Sequence, residues 1–208
     1  MISYINKEDN DISSIFYYIP NFLTKNEENE LYKYLHEMND FVKNPKYNEG
    51  ASRMQKWYQK DKKYFCPLWK DRYEQWTSFE MDNTINNMID KVQDYVHTIN
   101  KINVKINVPN INSCLINKYE TGENFIAPHR DSSISFGECP TIIGLSIGAT
   151  RRINLNHVKN KKKNFSFELE SGSIFIMAGS SQKYYYHSIN KCDCSNVRYS
   201  LTFREFIL

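Results

Sequence analysis

Two stretches of the chain carry apolar residues at helical spacing. Leu31, Tyr34, Leu35 and Met38 follow Thr24-x-x-Glu27, a capping-box pattern, and predict a helix over roughly residues 25–39. Ile85, Met88, Ile89, Val92, Val96 and Ile99 share one face and predict a second helix from about 83 to 99, with Asp82 as its cap. Ahead of the first helix, IFYYIPNFL (15–23) reads as a strand closed by Pro20. Residues 40–80 show no such period and are polar and rich in aromatics. After Pro109 the texture changes to short β-rich runs: SCLINKY, TIIGLSIG, RRINLN, FSFEL, SIFIM, KYYYHSI and VRYSLTFREF. Glycines at 122, 137, 148, 172 and 179 punctuate them. The expected architecture is mainly β, a barrel or jelly roll fronted by helices.

Composition adds bounds. With 208 residues and 40% hydrophobic content, the chain can fill one core, and one domain over 1–208 is the simplest count. A net charge of +3 permits an anionic partner without demanding one. Lys159, Lys161, Lys162 and Lys163 form the densest basic run and read as a solvated hairpin tip, a phosphate-contacting loop being the alternative. Five cysteines without framework spacing argue against a disulfide-stapled domain, so reduced, non-catalytic thiols are expected. No signal-peptide pattern and no run of membrane-spanning length is present, which predicts a soluble intracellular monomer, cytoplasmic or nuclear, with no membrane partner.

Against that background, the order of a few polar residues stands out. His129-Arg130-Asp131 is an H-x-D pair, and His187 follows at a distance. On a strand over 126–131, side chains two apart share a face, so His129 and Asp131 aim together while Arg130 aims away. With His187 they make two imidazoles and one carboxylate, a set that leaves open positions on a non-haem Fe(II) ion. In the final run, Arg198, Ser200, Thr202 and Arg204 share one face, and Tyr199, Leu201 and Phe203 the other. Buried arginine is costly without an anion, and a dicarboxylate suits paired guanidinium hydrogen bonds. Asn117 and Tyr119 also share a face and can donate to the same carboxylate.

The order N-x-Y, H-x-D, His-Ser-Ile, then R-x-S-L-T-F-R resembles the AlkB family of Fe(II)/2-oxoglutarate dioxygenases. SIGATRRINL and GSIFIMAGSSQKYYYHSI resemble that family's S-x-G-x-x-R and G-S-x-x-x-M-x-G-x-x-Q-x-x-x-H-S segments, and YIPNFLTKNEENELYKYL its opening. The likeness covers roughly residues 15–206, strongest over 113–206. It implies a double-stranded β-helix with N-terminal helices, a catalytic β core over 113–206 and a substrate lid in 40–80. It implies that His129, Asp131 and His187 bind Fe(II), and that Asn117, Tyr119, Arg198, Thr202 and Arg204 hold 2-oxoglutarate, with O2 as the other cosubstrate. Arg53, Trp57, Tyr58 and Tyr64 fall where the family keeps its lid, the basic group reaching phosphates and the rings stacking on a base.

The implied activity is oxidative dealkylation of N-alkylated bases in DNA or RNA. The alternative is a 2-oxoglutarate-dependent hydroxylase or demethylase of a protein or small molecule. One departure bears on this choice. Nucleic-acid dealkylases of the family commonly carry an acidic residue just after the ligand Asp, whereas Ser132 and Ser133 follow here.

Overall fold

The structure is a computed structural model that describes residues 1–8, 12–43, 53–62, 78–102, 106–193 and 196–207. Strands β1 (Ile2–Lys7) and β2 (Ser13–Ile19) lead into helix α1 (Lys25–Glu37). Thr24 and Glu27 close a reciprocal capping box at its start, so two backbone N–H groups that the helix leaves unpaired are satisfied. Strands β3 (Val42–Lys43) and β4 (Met54–Gln59) precede helix α2 (Asn83–Ile102), where Asp82 Oδ1 accepts from Ile85 N at 3.0 Å as the expected cap.

The β-rich part follows as β5 (Ser113–Tyr119), β6 (Ile126–His129), the helical turn α3 (Ser133–Phe136), β7 (Ile142–Gly148), β8 (Arg151–His157) and β9 (Phe165–Leu169). It ends with β10 (Ser173–Gly179), the turn α4 (Ser181–Tyr184), β11 (Tyr185–Ile189) and β12 (Arg198–Arg204). An eight-stranded sheet runs β1-β2-β10-β7-β12-β5-β4-β3, and a four-stranded sheet runs β6-β11-β8-β9. Their named strands pair antiparallel throughout. This is the jelly-roll architecture expected from the strand spacing.

The large sheet divides the interior. On one face, Ile143, Leu145, Tyr199, Leu201 and Phe203 pack with Leu31 and Leu35 of α1 and with Ile85, Val92 and Val96 of α2. On the other, Phe16, Ile142, Phe175 and Met177 meet Leu155 and Tyr185 of the small sheet. Each buried aliphatic side chain removed from water contributes about 1.5–3 kcal/mol, and the helix-side layer is the larger cluster. Period-two alternation therefore sends one set of residues to a dry core and the other toward the space between the sheets. Gly148 turns out of β7 at φ 90°, and a side chain there would run into the Val197 carbonyl, so this corner requires glycine.

Three expectations need correction. β4 lies within the 40–80 stretch read as irregular, and β1 carries no sequence signal that set it apart. β6 stops at His129, so Asp131 lies beyond the strand, between it and α3. Cys192 is disulfide-bonded instead of reduced, while Cys114 and Cys139 are free. The lysine run forms a short 3-10 turn over Lys161–Lys163 between β8 and β9, as a hairpin tip should.

Candidate metal centre and cosubstrate pocket

Cross-strand register brings the two imidazoles together. His187 on β11 pairs directly with His129 on β6, and their ring centroids lie 4.1 Å apart. His129 Nδ1 lies 3.0 Å from the Ala127 carbonyl and donates to it, which leaves Nε2 as the bare nitrogen. Asp131 is placed by its own backbone: its N–H donates to the buried Gln182 Oε1 at 2.9 Å. Asp131 Oδ1 then sits 3.7 Å from His129 Nε2 and 3.9 Å from His187 Nε2. One ligand atom from each of the three residues falls within 4.8 Å of the others. The convergence expected from H-x-D and a distant His is therefore present, although Asp131 reaches it from a loop.

The electrostatics suit a cation. Burial and the nearby His129 hold the His187 imidazole down to about 3, so it is neutral at physiological pH. Burial likewise lowers His129. For Asp131, burial opposes ionisation, but Arg204 and the two histidines outweigh it and hold the carboxyl down to about 2. Arg204 Nε donates to Asp131 Oδ2 at 2.6 Å, which leaves Oδ1 turned to the imidazoles. Two neutral imidazoles and a carboxylate with one oxygen free match the donor set of a non-haem ferrous site.

Beside this cluster a cavity of about 530 Å³ opens between the sheets. Arg198, Ser200, Thr202 and Arg204 line it from β12, and Asn117 and Tyr119 from β5. The pairing explains why: Arg198 stands opposite Tyr119, and Ser200 opposite Asn117 and Ser146. Arg198 is 1% exposed. It donates to Ser146 Oγ at 2.9 Å and lies 5.1 Å from the Tyr119 ring centre. Its Nε and other terminal nitrogen find no hydrogen-bond partner among the described residues. A buried guanidinium with two unmatched donors fits a ligand carboxylate, because leaving it unpaired is costly.

The Asn117 amide is oriented by two donors. Arg53 Nε and Gln55 Nε2 reach its Oδ1 at 2.7 and 3.0 Å, which fixes the oxygen toward these two side chains and gives its nitrogen the remaining direction. Sequence reasoning missed Gln55, Ser146 and Gln182. Gln182 did leave a signal, five residues before His187 in the quoted GSIFIMAGSSQKYYYHSI stretch. The other two show only once strands are paired.

The four lid residues are dispersed. Trp57 and Tyr58 are each 4% exposed and sit within β4. Trp57 packs with Leu115, Phe136 and Phe206, and Tyr58 joins the helix-side core, its hydroxyl directed at Met38 Sδ. Neither ring is placed to stack on a base, because each is buried among sheet or core neighbours. Arg53 lines the cavity wall and donates from Nε to Asn117. Tyr64 lies outside the described residues.

The profile of the 2OG-Fe(II) oxygenase superfamily matches residues 15–204. The chain belongs to that superfamily. It carries the domain of an Fe(II)- and 2-oxoglutarate-dependent oxygenase. Human alpha-ketoglutarate-dependent dioxygenase alkB homolog 3 is 31% identical over 102 residues, covering 45% of this chain and 36% of that protein. DNA oxidative demethylase ALKBH2 of Arabidopsis thaliana is 28% identical over 116 residues, covering 45% of this chain and 37% of that protein. The chain thus spans little more than a third of the length of these relatives. Among solved structures, OsALKBH1 superposes with a TM-score of 0.68 at 17% identity, covering 91% of this chain and 97% of that one. A Trichoplax adhaerens prolyl hydroxylase bound to a peptide superposes with a TM-score of 0.60 at 15% identity, covering 92% and 83%. At such identities these two structures speak for the fold alone.

Proposed function

We propose that the protein removes alkyl groups oxidatively from N-alkylated bases in DNA or RNA, with residues 1–208 acting as one catalytic unit. The observation that carries this reading is the adjacency of the His129–Asp131–His187 cluster to a cavity whose buried Arg198 lacks partners for two donors. His129, Asp131 and His187 would hold Fe(II). Arg198, with Asn117, Tyr119 and Thr202 on the same wall, would hold 2-oxoglutarate, and Arg204 would support its inner end while fixing Asp131. Iron, 2-oxoglutarate and O2 together supply the oxidation of an N-methyl C–H bond to an N-hydroxymethyl group, which releases formaldehyde.

The chain's own tasks are positioning and exclusion of water. Asp131 must present one oxygen, and Arg204 and Gln182 hold it so. Both imidazoles must stay unprotonated, and burial keeps them so. Ile126, Ile142, Ile153 and Leu169 make the rest of the cavity apolar, which strengthens each charge interaction inside.

A nucleic-acid substrate is supported by the names of the matched relatives and by the rim. Arg130 and Lys183 are exposed, and Tyr186 is 38% exposed. The Arg130 guanidinium lies 4.9 Å from the Tyr186 ring centre and donates to the Lys183 carbonyl at 3.0 Å. Arg130 and Tyr186 are sequence neighbours of the ligands His129 and His187, so a cationic, aromatic ledge flanks the mouth. Such a ledge suits a phosphate next to a base drawn into the cavity.

The test is incubation of the protein with Fe(II), 2-oxoglutarate and single-stranded oligonucleotides carrying one methylated base. Loss of one methyl with matching succinate is expected. Binding should weaken with salt, and Arg130→Ala should reduce the salt slope by about one phosphate contact. Methyl loss from no oligonucleotide, with succinate formed on peptide substrates instead, would reject the reading.

A further inference from the structure

We propose that Arg53 selects the substrate class, so that the cavity takes a neutral N-alkylated base showing a carbonyl oxygen, in place of a base made cationic by its alkyl group. The inference rests on the nucleic-acid reading above and sharpens it.

Arg53 stands just ahead of β4, on the cavity wall. Its Nε is tied to Asn117 Oδ1 at 2.7 Å. Its two terminal nitrogens make no hydrogen bond to a described residue, so they remain as paired donors on the wall. Burial lowers its proton affinity, with Tyr119 and Asp131 opposing that shift and Arg204 adding to it, and it lines the same cavity as His129, Asp131 and His187. The one acidic side chain among the described lining residues is Asp131, already engaged by Arg204 and turned to the imidazoles.

The charge balance follows. A ferrous ion and the 2-oxoglutarate dianion cancel. Arg53, Arg198 and Arg204 then face the single carboxylate of Asp131, with Arg130 adding a further positive charge at the mouth. The two residues after Asp131 add no negative charge: Ser132 lines the cavity with an uncharged hydroxyl that does not cap α3, and Ser133 is exposed.

Alkylation chemistry divides bases into two groups on this wall. Adenine or cytosine methylated at the ring nitrogen of its pairing edge carries a positive charge. Thymine, uracil or guanine methylated at the corresponding nitrogen stays neutral and keeps at least one carbonyl oxygen beside the methyl. A guanidinium repels the first group and donates to the second.

The experiment compares single-stranded oligonucleotides bearing 3-methylthymine or 1-methylguanine with ones bearing 1-methyladenine or 3-methylcytosine. The readout is kcat/KM for methyl loss, by mass spectrometry, in the wild type and Arg53→Gln. The wild type should prefer the neutral pair by about tenfold or more. Arg53→Gln should lower the neutral pair about tenfold and raise the cationic pair, while the KM for 2-oxoglutarate stays within about threefold because Gln55 still donates to Asn117. That last readout separates a selectivity role from collapse of the cosubstrate wall. A wild type that prefers the cationic pair overturns this inference and leaves the dealkylase reading standing. Equal loss on both pairs, with a raised 2-oxoglutarate KM, overturns it by assigning Arg53 to the cosubstrate. Methyl loss from neither pair overturns the underlying reading as well.

Discussion

Two buried clusters among the described residues pair a carboxylate with histidine, and they are built to opposite ends. Around Glu8 every group is answered. Glu8 Oε2 meets His157 Nε2 at 3.1 Å and Lys163 Nζ at 3.0 Å, and Oε1 accepts from Asn6 at 2.7 Å. His157 Nδ1 accepts the N–H groups of Lys159 and Asn160 at 3.1 and 3.0 Å. This cluster ties β1 to the end of β8 and the lysine turn, and leaves nothing to bind. Around Asp131 the accounts stay open. His187 Nδ1 has no partner among the described residues, both imidazoles are held neutral, and nearby Arg198 keeps two unmatched donors. Buried polar groups left open in this way mark where ligands belong, whereas closed ones mark structure.

The contrast is sharpest under mutation. His187→Ala should abolish 2-oxoglutarate turnover, by about a thousandfold or more, while the protein stays folded, because it removes an unpaired buried imidazole and no network. Full turnover in that variant would remove His187 from the ligand set. Next in size, Arg198→Met should raise the KM for 2-oxoglutarate by about a hundredfold without lowering stability, since a hydrophobe of similar volume replaces an uncompensated buried charge. Unchanged cosubstrate affinity, or a clear loss in urea melts, would contradict that role. His157→Ala should do the reverse. It takes one of three partners from buried Glu8, leaves the Lys159 and Asn160 N–H groups without their acceptor, and should cost about 2–4 kcal/mol in urea denaturation, with turnover below the transition retained.

The smallest effect is in the pH dependence of folding. The folded chain refuses a proton at His187 down to about 3, whereas the unfolded imidazole accepts one near 6.5. Between those values the unfolded state binds more protons, so stability must fall as pH drops from 6.5, by at most about 1.4 kcal/mol per pH unit for that proton. Denaturation at pH 7.5 and 5.5 should show a larger loss in metal-free wild type than in His187→Ala. Equal losses would mean that His187 titrates normally.

The same contrast explains what could be read in the sequence. The strands that bury an apolar face, such as β7, β10 and β12, announce themselves, because burial of Leu145, Ile176 or Leu201 demands a hydrophobe at every second position. The metal cluster was legible for a related reason: no other side chains replace two imidazoles and a carboxylate at iron. β4 was hidden because three of its five buried residues, Gln55, Lys56 and Gln59, are polar and locally satisfied. Gln55 donates to Asn117, Gln59 accepts from Trp57, and Lys56 donates to the Asn39 carbonyl and lies 4.4 Å from the Phe79 ring centre. No hydrophobic period marks such a strand. The same blindness placed Trp57 and Tyr58 on a lid, since aromatic residues among lysines look alike whether they stack on a base or on Leu115. Arg53 was named as a phosphate contact, and only the pairing of β4 with β5 carries it to the cavity wall.

The central claim is that three side chains hold one metal ion beside a berth for 2-oxoglutarate. Anaerobic calorimetric titration of Fe(II), followed by 2-oxoglutarate, tests it most directly in the wild type and His187→Ala. The account predicts one metal and then one 2-oxoglutarate per wild-type chain, the second depending on the first, with metal affinity lost in the variant. Tight 2-oxoglutarate binding without metal, or the same metal affinity in both proteins, would contradict it.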